Sequence, residues 1–201
     1  YHGSLAETSS AIWDAGSWTH VVITTSNTDI IFYKNGGDEE SATREPENPI
    51  MKRAKHYIGK SDMISSNNFG YFDGTMAYLR FWHGTTLSAG DIETLYKNRE
   101  TSNPSVFGTA AVVTTITDTY DSSIIATPYN GAIFTTAGAQ FDGVDDYVDL
   151  TPWEFGGASF TVEAYVKYDS FNDWSPIFYF GDGPNWNYNT TFLTNRTTAG
   201  R

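Results

Sequence analysis

Ser159-Phe-Thr-Val-Glu-Ala-Tyr-Val-Lys167 carries the cleanest alternation in the chain. Phe160, Val162, Ala164 and Val166 fall on the inward side and Thr161, Glu163 and Lys167 on the outward side, the period of a half-buried strand. Working outward, residues 17–25 alternate as well, with Trp18, His20 and Val22 on one face and Thr19, Val21 and Ile23 on the other. Both of those faces carry apolar groups, as in a strand inside a sandwich. Residues 29–34 make a further strand, closed by Asn35-Gly36-Gly37, a hairpin turn whose residues tolerate positive φ. His56-Tyr-Ile58 and Ile177–Phe180 read as short strands, and residues 71–83 as the longest and most aromatic one. Residues 111–117 and 132–135 are strand candidates, while the acidic Asp38-Glu-Glu40 reads as a surface edge. Leu87 to Arg99 is the one good helix. Ser88 caps it, Asp91 completes a capping box, and Ile92, Leu95 and Tyr96 share a face. Lys97 and Arg99 in the last turn suit the helix dipole.

The composition agrees with strands and turns. Aromatic residues make up 16 % of the 201, as 13 Tyr, 13 Phe and 6 Trp against 3 Met. The formal net charge is −12 with no long Lys/Arg cluster, which makes nucleic acid and anionic membrane surfaces poor partners. No apolar run approaches the roughly 20 residues of a membrane-spanning helix. The absence of Cys removes disulfides, thiolate metal sites and Cys nucleophiles together. Neither an initiator Met nor a leader pattern stands at the start, which fits an excised or processed fragment. Asn189-Thr-Thr191 and Asn195-Arg-Thr197 are sequons, so Asn189 and Asn195 are glycosylation candidates in an extracellular or cell-surface protein.

Phe141-Asp-Gly-Val-Asp-Asp-Tyr-Val-Asp-Leu150, Phe160-Thr-Val-Glu-Ala-Tyr-Val-Lys167, Trp18-Thr-His-Val-Val22, Phe32-Tyr-Lys-Asn-Gly36, Tyr57-Ile-Gly59, Phe72-Asp-Gly74 and Leu87-Ser88 together resemble the laminin-G-like, concanavalin A-like jelly-roll superfamily. The resemblance covers most of the chain and implies an all-β fold, a two-sheet antiparallel jelly-roll sandwich with one short helix. In that family the motifs run in the order just given, which is kept here cyclically but cut between residues 167 and 18. Residues 1–100 thus read as the C-terminal half of a sandwich, 101–109 as a Thr/Ser/Pro linker, and 110–201 as the N-terminal half. These halves belong to one permuted domain or to successive repeats. Trp153-Glu-Phe-Gly-Gly157 and Tyr168-Asp-Ser-Phe171 are similar to laminin-G-like domains of large secreted repeat proteins.

The resemblance also frames the chemistry. Jelly-roll glycosidases of the superfamily set carboxylates on alternate residues of one strand, and neither Asp145-Asp146…Asp149 nor Asp38-Glu39-Glu40 has that form. With no Gly-x-Ser-x-Gly elbow, phosphate loop or His-Glu-x-x-His motif, the expectation is a non-catalytic protein that requires no cofactor. Calcium is the cation the resemblance implies. A common member reads Gly-x-Ile-Asp-Glu-Val where this chain has Gly74-Thr-Met-Ala-Tyr-Leu79, so Ala77 replaces the carboxylate. Asp118, Asp121, Asp142, Asp145 and Asp146 remain as candidate ligands, with solvated acidic turns as the alternative. Trp174, Asn185, Trp186 and Tyr188 put aromatic faces beside amides and are the carbohydrate-binding candidates, against plain loop packing. Trp18 and Tyr165 are expected in the core. The expected role is structural or adhesive, with neighbouring copies completing each other's sandwich as partners. The alternative is a lectin-like module that binds glycans.

Overall fold

The computed structural model describes residues 12–26, 29–43, 51–62, 69–99, 116–117, 125–135, 137–155, 159–183 and 191–195. The elements of the first half are β1 (Trp18–Thr25), β2 (Asp29–Lys34), β3 (Gly37–Thr43), β4 (Met51–Lys52), β5 (Lys55–Ile58), β6 (Asp73–His83) and α1 (Ala89–Lys97). The second half adds β7 (Ile116–Thr117), β8 (Ile125–Tyr129), β9 (Ile133–Thr135), β10 (Gly138–Asp142) and β11 (Tyr147–Leu150). It ends with β12 (Glu154–Phe155), β13 (Phe160–Ser170), β14 (Pro176–Gly181) and β15 (Thr191–Thr194).

Two antiparallel sheets face each other. The first runs β3-β2-β1-β13-β6-β10-β9 and the second β15-β14-β5-β11-β8-β7, with a short β12–β4 pair apart. The deciding strand is β13. It lies antiparallel to β1, with Trp18 opposite Lys167 and Thr25 opposite Phe160, and antiparallel to β6 on its other side. A strand from residues 110–201 is therefore seated between two strands from residues 1–100. The second sheet interleaves the halves in the same way, with β5 between β14 and β11.

Register follows from the alternation. Val162 and Ala164 of β13 lie opposite Phe81 and Leu79 of β6, and all four face the core with Val21 and Ile23 of β1. From the second sheet come Ile58, Val148, Leu150, Phe178 and Phe180. A register shift after Tyr165 keeps Val166 opposite the buried Met76. Gly74 has φ +150°, and a Cβ there would stand 2.1 Å from the Lys167 carbonyl oxygen, so the closest part of the β6–β13 crossing excludes a side chain.

The helix forms as its caps require. The Ser88 hydroxyl accepts from the Asp91 amide, and the Asp91 carboxylate accepts from the Ser88 amide. Ile92 is buried against Val22 and Tyr33, which lays α1 across the outer face of the first sheet. This roof changes the meaning of the outward residues of β13. Thr161 and Glu163 face away from the core yet are fully buried. The Thr161 hydroxyl donates to the Thr85 carbonyl and accepts from the Leu87 amide. Glu163 is held by Tyr78, whose hydroxyl donates to Oε1 (3.1 Å), by Arg80 Nη1 to Oε2 (3.2 Å) and by His20 Nε2 at 2.9 Å. Burial first, then the Glu163 charge, raises the Tyr78 phenol pKa, so Tyr78 stays a donor.

Trp18 and Tyr165 are a correction to the expected core. They stack on each other, centroids 4.9 Å apart, on the outer face of the first sheet, and Trp18 is 36 % exposed. Their neighbours along β1 and β13 point outward in the same rows, so alternation rather than size decides their side.

Removing the carboxylate of Glu163 leaves Tyr78 and Arg80 facing a hole at a buried site. Glu163→Ala should cost about 3–5 kcal/mol of stability, read from chemical denaturation, because one partner of a buried charge pair is lost.

Candidate functional site

With α1 across the first sheet, the second sheet offers the more open outer face. On β5, β11 and β8 the outward residues form rows: Tyr57 lies opposite Asp149, which lies opposite Thr127, and Tyr147 lies opposite Tyr129. Tyr129 and Tyr147 stack with centroids 4.9 Å apart and an 8° interplanar angle. Tyr57 meets Tyr147 edge-on at 5.8 Å and lies parallel to Tyr179 at 6.4 Å. Tyr179, Phe69 and Trp174 cluster with Tyr57 at the far end. The result is one aromatic track across four strands, buried under loops at the β14 end and open at Tyr129, which is 41 % exposed.

Beside the track runs a groove of about 420 Å³, lined by residues that include Lys55, Tyr57, Ile125, Thr127, Asp149 and Thr151. The Lys60 ammonium lies 3.4 Å from the Tyr147 ring centroid and 4.3 Å from that of Tyr57, a cation–π seat shared by two rings. Lys55 Nζ donates to Asp62 at 2.8 Å. Burial first, then Asp62 and Asp149, pushes the Tyr57 phenol up to about 12. Burial likewise lowers the Lys60 pKa against the pull of Asp62 and Asp149, and raises that of Asp149 against the pull of Lys60. The groove therefore offers the Tyr57 ring, the Thr127 and Thr151 hydroxyls, the Asp149 carboxylate and the Lys55 ammonium, with the rest of the tyrosine track beside it. That mixture suits a polyhydroxylated ligand with apolar C–H faces.

Of the loop candidates, Asn185, Trp186, Tyr188 and the sequon Asn189 lie outside the described residues. Trp174 is described and half-buried. It packs on Phe69 at 5.4 Å with φ 54°, in a turn where Asn172 Nδ2 donates to the Tyr71 and Gly143 carbonyls. It walls the track rather than offering a free platform. Asn195 is fully buried: its Oδ1 accepts from the Ser175 amide and hydroxyl, and its Nδ2 donates to the Asn172 carbonyl. The nitrogen a glycan would occupy is already bonded inside the fold, which corrects the expectation of a glycan there.

Asp118 and Asp121 also lie outside the described residues. Asp142, Asp145 and Asp146, from the turn between β10 and β11, do converge, each offering one oxygen within 4.8 Å of the others. Asp146 is not a solvated turn residue. It is buried, and its Oδ2 accepts from the Asp142 amide. Burial is the largest cause of its raised pKa, opposed by that amide and reinforced by the Asp142 and Asp145 charges. Burial first and Asp145 second raise the Tyr71 phenol, which puts that ring beside the same turn. Asn130 Nδ2 donates to the Asp145 carbonyl, tying the turn to the end of the aromatic track.

Sequence reasoning missed the track itself. Its signal was the outward position of Tyr57, Tyr129 and Tyr147, which needs the pairing of three strands far apart in the chain.

Residues 3–93 match a laminin-G-type family model described as the concanavalin A-like lectin/glucanases superfamily. The match spans β1 to β6 and ends inside α1. No curated protein and no solved structure matches the chain. Over that first part of the chain the two-sheet antiparallel sandwich with its single described helix is thus similar to the concanavalin A-like superfamily.

The raised Asp149 pKa has a definite sign. An acid that is harder to ionise when folded ionises first in the unfolded chain, so stability falls as pH climbs from about 4 through the raised folded value. Asp149→Asn should leave stability unchanged below that window and increase it above, measured by denaturation across pH.

Proposed function

We propose that this concanavalin A-like sandwich is a non-catalytic, extracellular carbohydrate-recognition module. The observation that carries the reading is the Tyr57–Tyr147–Tyr129 track beside its groove. A pyranose ring stacks its C–H face on the exposed outer face of Tyr129, which Tyr147 backs from below with the Lys60 ammonium on its far side, while Asp149 and Thr127 take hydroxyls. Asp149 is the one carboxylate among the groove's lining residues, and glycoside hydrolysis uses two facing one bond. The sequon at Asn189 supports a secreted location, and among the described residues no helix is long and apolar enough to cross a membrane.

A glycan array followed by titration tests the reading. Tyr129→Ala should weaken the best ligand by about tenfold, the equivalent of about 1.4 kcal/mol of lost stacking, and Tyr147→Ala, which removes the ring that backs Tyr129, should weaken it in the same direction, with folding intact by circular dichroism. A folded protein that binds no glycan on the array would end it.

The seat of β13 between β1 and β6 of its own chain favours a self-contained module over an array in which neighbours complete each other's sandwich. Light scattering on a dilute sample separates the two. A monomer mass is expected, and dimers or polymers that persist on dilution would restore the assembly reading.

A further inference from the structure

We propose that Lys60 is a positioning residue of the carbohydrate face: from a seat between Tyr57 and Tyr147 it keeps Asp149 a charged acceptor for the ligand's hydroxyls and steadies the ring that backs Tyr129. The inference rests on the carbohydrate reading and adds to it a residue that acts through its neighbours.

The seat follows from strand pairing. Tyr147 and Asp149 are two apart on β11 and share its outer face, and Tyr57 of β5 lies directly opposite Asp149. The Tyr57 and Tyr147 rings meet with 80° between their planes, two walls of a corner that has Asp149 as a neighbour of both. Lys60 enters this corner just past β5, where Gly59 takes φ +84° and turns the chain. Its ammonium stands 3.4 Å from the Tyr147 centroid and 4.3 Å from that of Tyr57. Seated on ring faces, the ammonium lends its charge to the corner without capping the carboxylate, and Asp149 still lines the groove.

The groups that titrate around the corner are few. Lys55 and Tyr57 come from β5, Lys60 and Asp62 from the segment after it, Tyr147 from β11 and Tyr129 from β8, with Tyr71 and Tyr179 at the edges. Burial is the first cause that raises the Tyr57 and Tyr147 phenols, so both stay neutral donors. Lys55 is committed to Asp62, donating to both of its oxygens at 2.8 Å. Burial raises the Asp149 carboxyl as well, and Lys60 is the group that opposes it. Take the ammonium away and Asp149 binds a proton at higher pH, becoming a weaker acceptor for a sugar hydroxyl.

Carbon-13 NMR of the carboxyl groups across pH reads Asp149 directly, and titration with the tightest-binding neutral oligosaccharide of the glycan array reads the site. Lys60→Met keeps the stem and removes the charge. Its Asp149 midpoint should move up, and the acid limb of its glycan-binding profile should move up with it. At mildly acidic pH its affinity should fall about fivefold, the difference between a charged and a neutral hydrogen bond. Lys60→Arg, which keeps a cation on the rings, should restore the midpoint and the limb. Lys60→Gln replaces the Met variant if that does not fold. An unchanged Asp149 midpoint in the folded charge-free variant would overturn the proposal. So would a loss of affinity with no shift of the limb, the mark of a merely structural lysine. A wild-type chain that binds no glycan ends the carbohydrate reading and this role with it, whereas glycan binding indifferent to Lys60 ends this role alone.

Discussion

Everything in this fold depends on one strand being flanked on both sides by strands from the other half of the chain. β13 contributes Phe160–Ser170, pairs with β1 along one edge and with β6 along the other, and carries Val162, Ala164 and Val166 into the core. Remove it and the first sheet splits into two pieces with a raw edge each, an arrangement that invites association. Its nearest partners in β1 are already far away along the chain, Thr25 and Phe160 being 135 positions apart and the pairs toward Trp18 and Lys167 farther still. Such pairing is non-local, so the entropy of closing the chain must be met before the contacts form, and folding of this topology is slow relative to its size.

The same strand explains why a charged residue can sit in the interior. Glu163 faces outward from the sheet, where the α1 roof shuts out water. Its two oxygens are taken by Tyr78, Arg80 and His20, which come from both neighbouring strands. A network of that kind gains less than an apolar patch of equal size when complete, and loses more when broken. It fixes register instead: a shift of β13 by one residue would carry Glu163 to the core side and strand both Arg80 and Tyr78.

Much of this was legible in the sequence because it is local. Alternation in residues 18–25 and 160–167, the Asn35-Gly36 turn and the Ser88–Asp91 box each depend on a few neighbours, and each appears where the pattern puts it. Alternation could say that Glu163 faces away from Val162. It could not say that a helix 70 residues earlier covers that face. Likewise Trp18 and Tyr165 were misplaced because aromatic bulk suggests burial, whereas the pleat alone sets the side. The acidic turn was visible as composition, yet the burial of Asp146 under Gly131 comes from the β8–β9 connection and not from its own segment. The Tyr57, Tyr129 and Tyr147 track was hidden for the same reason, since no two of its residues belong to one strand.

The location of the open face then follows from the location of the helix. Hydrophobic side chains on α1 must be covered, and they settle on Val22 and Tyr33 of the first sheet, closing part of that surface. Among the described residues no helix covers β11 and β8, and there the outward tyrosines are half-exposed and the groove is open. On the carbohydrate reading the charge of that face also matters. Lys55 and Lys60 stand against Asp62 and Asp149, a local balance of two and two in a chain whose net charge is −12. A sulfated or uronate-rich glycan would approach against the field of the whole molecule, with no surplus of cations among the described residues of that groove to receive it. A neutral sugar meets no such barrier, and stacking and hydroxyl contacts are little screened by salt. The physics of the face therefore favours neutral glycans, recognised by ring faces rather than by charge.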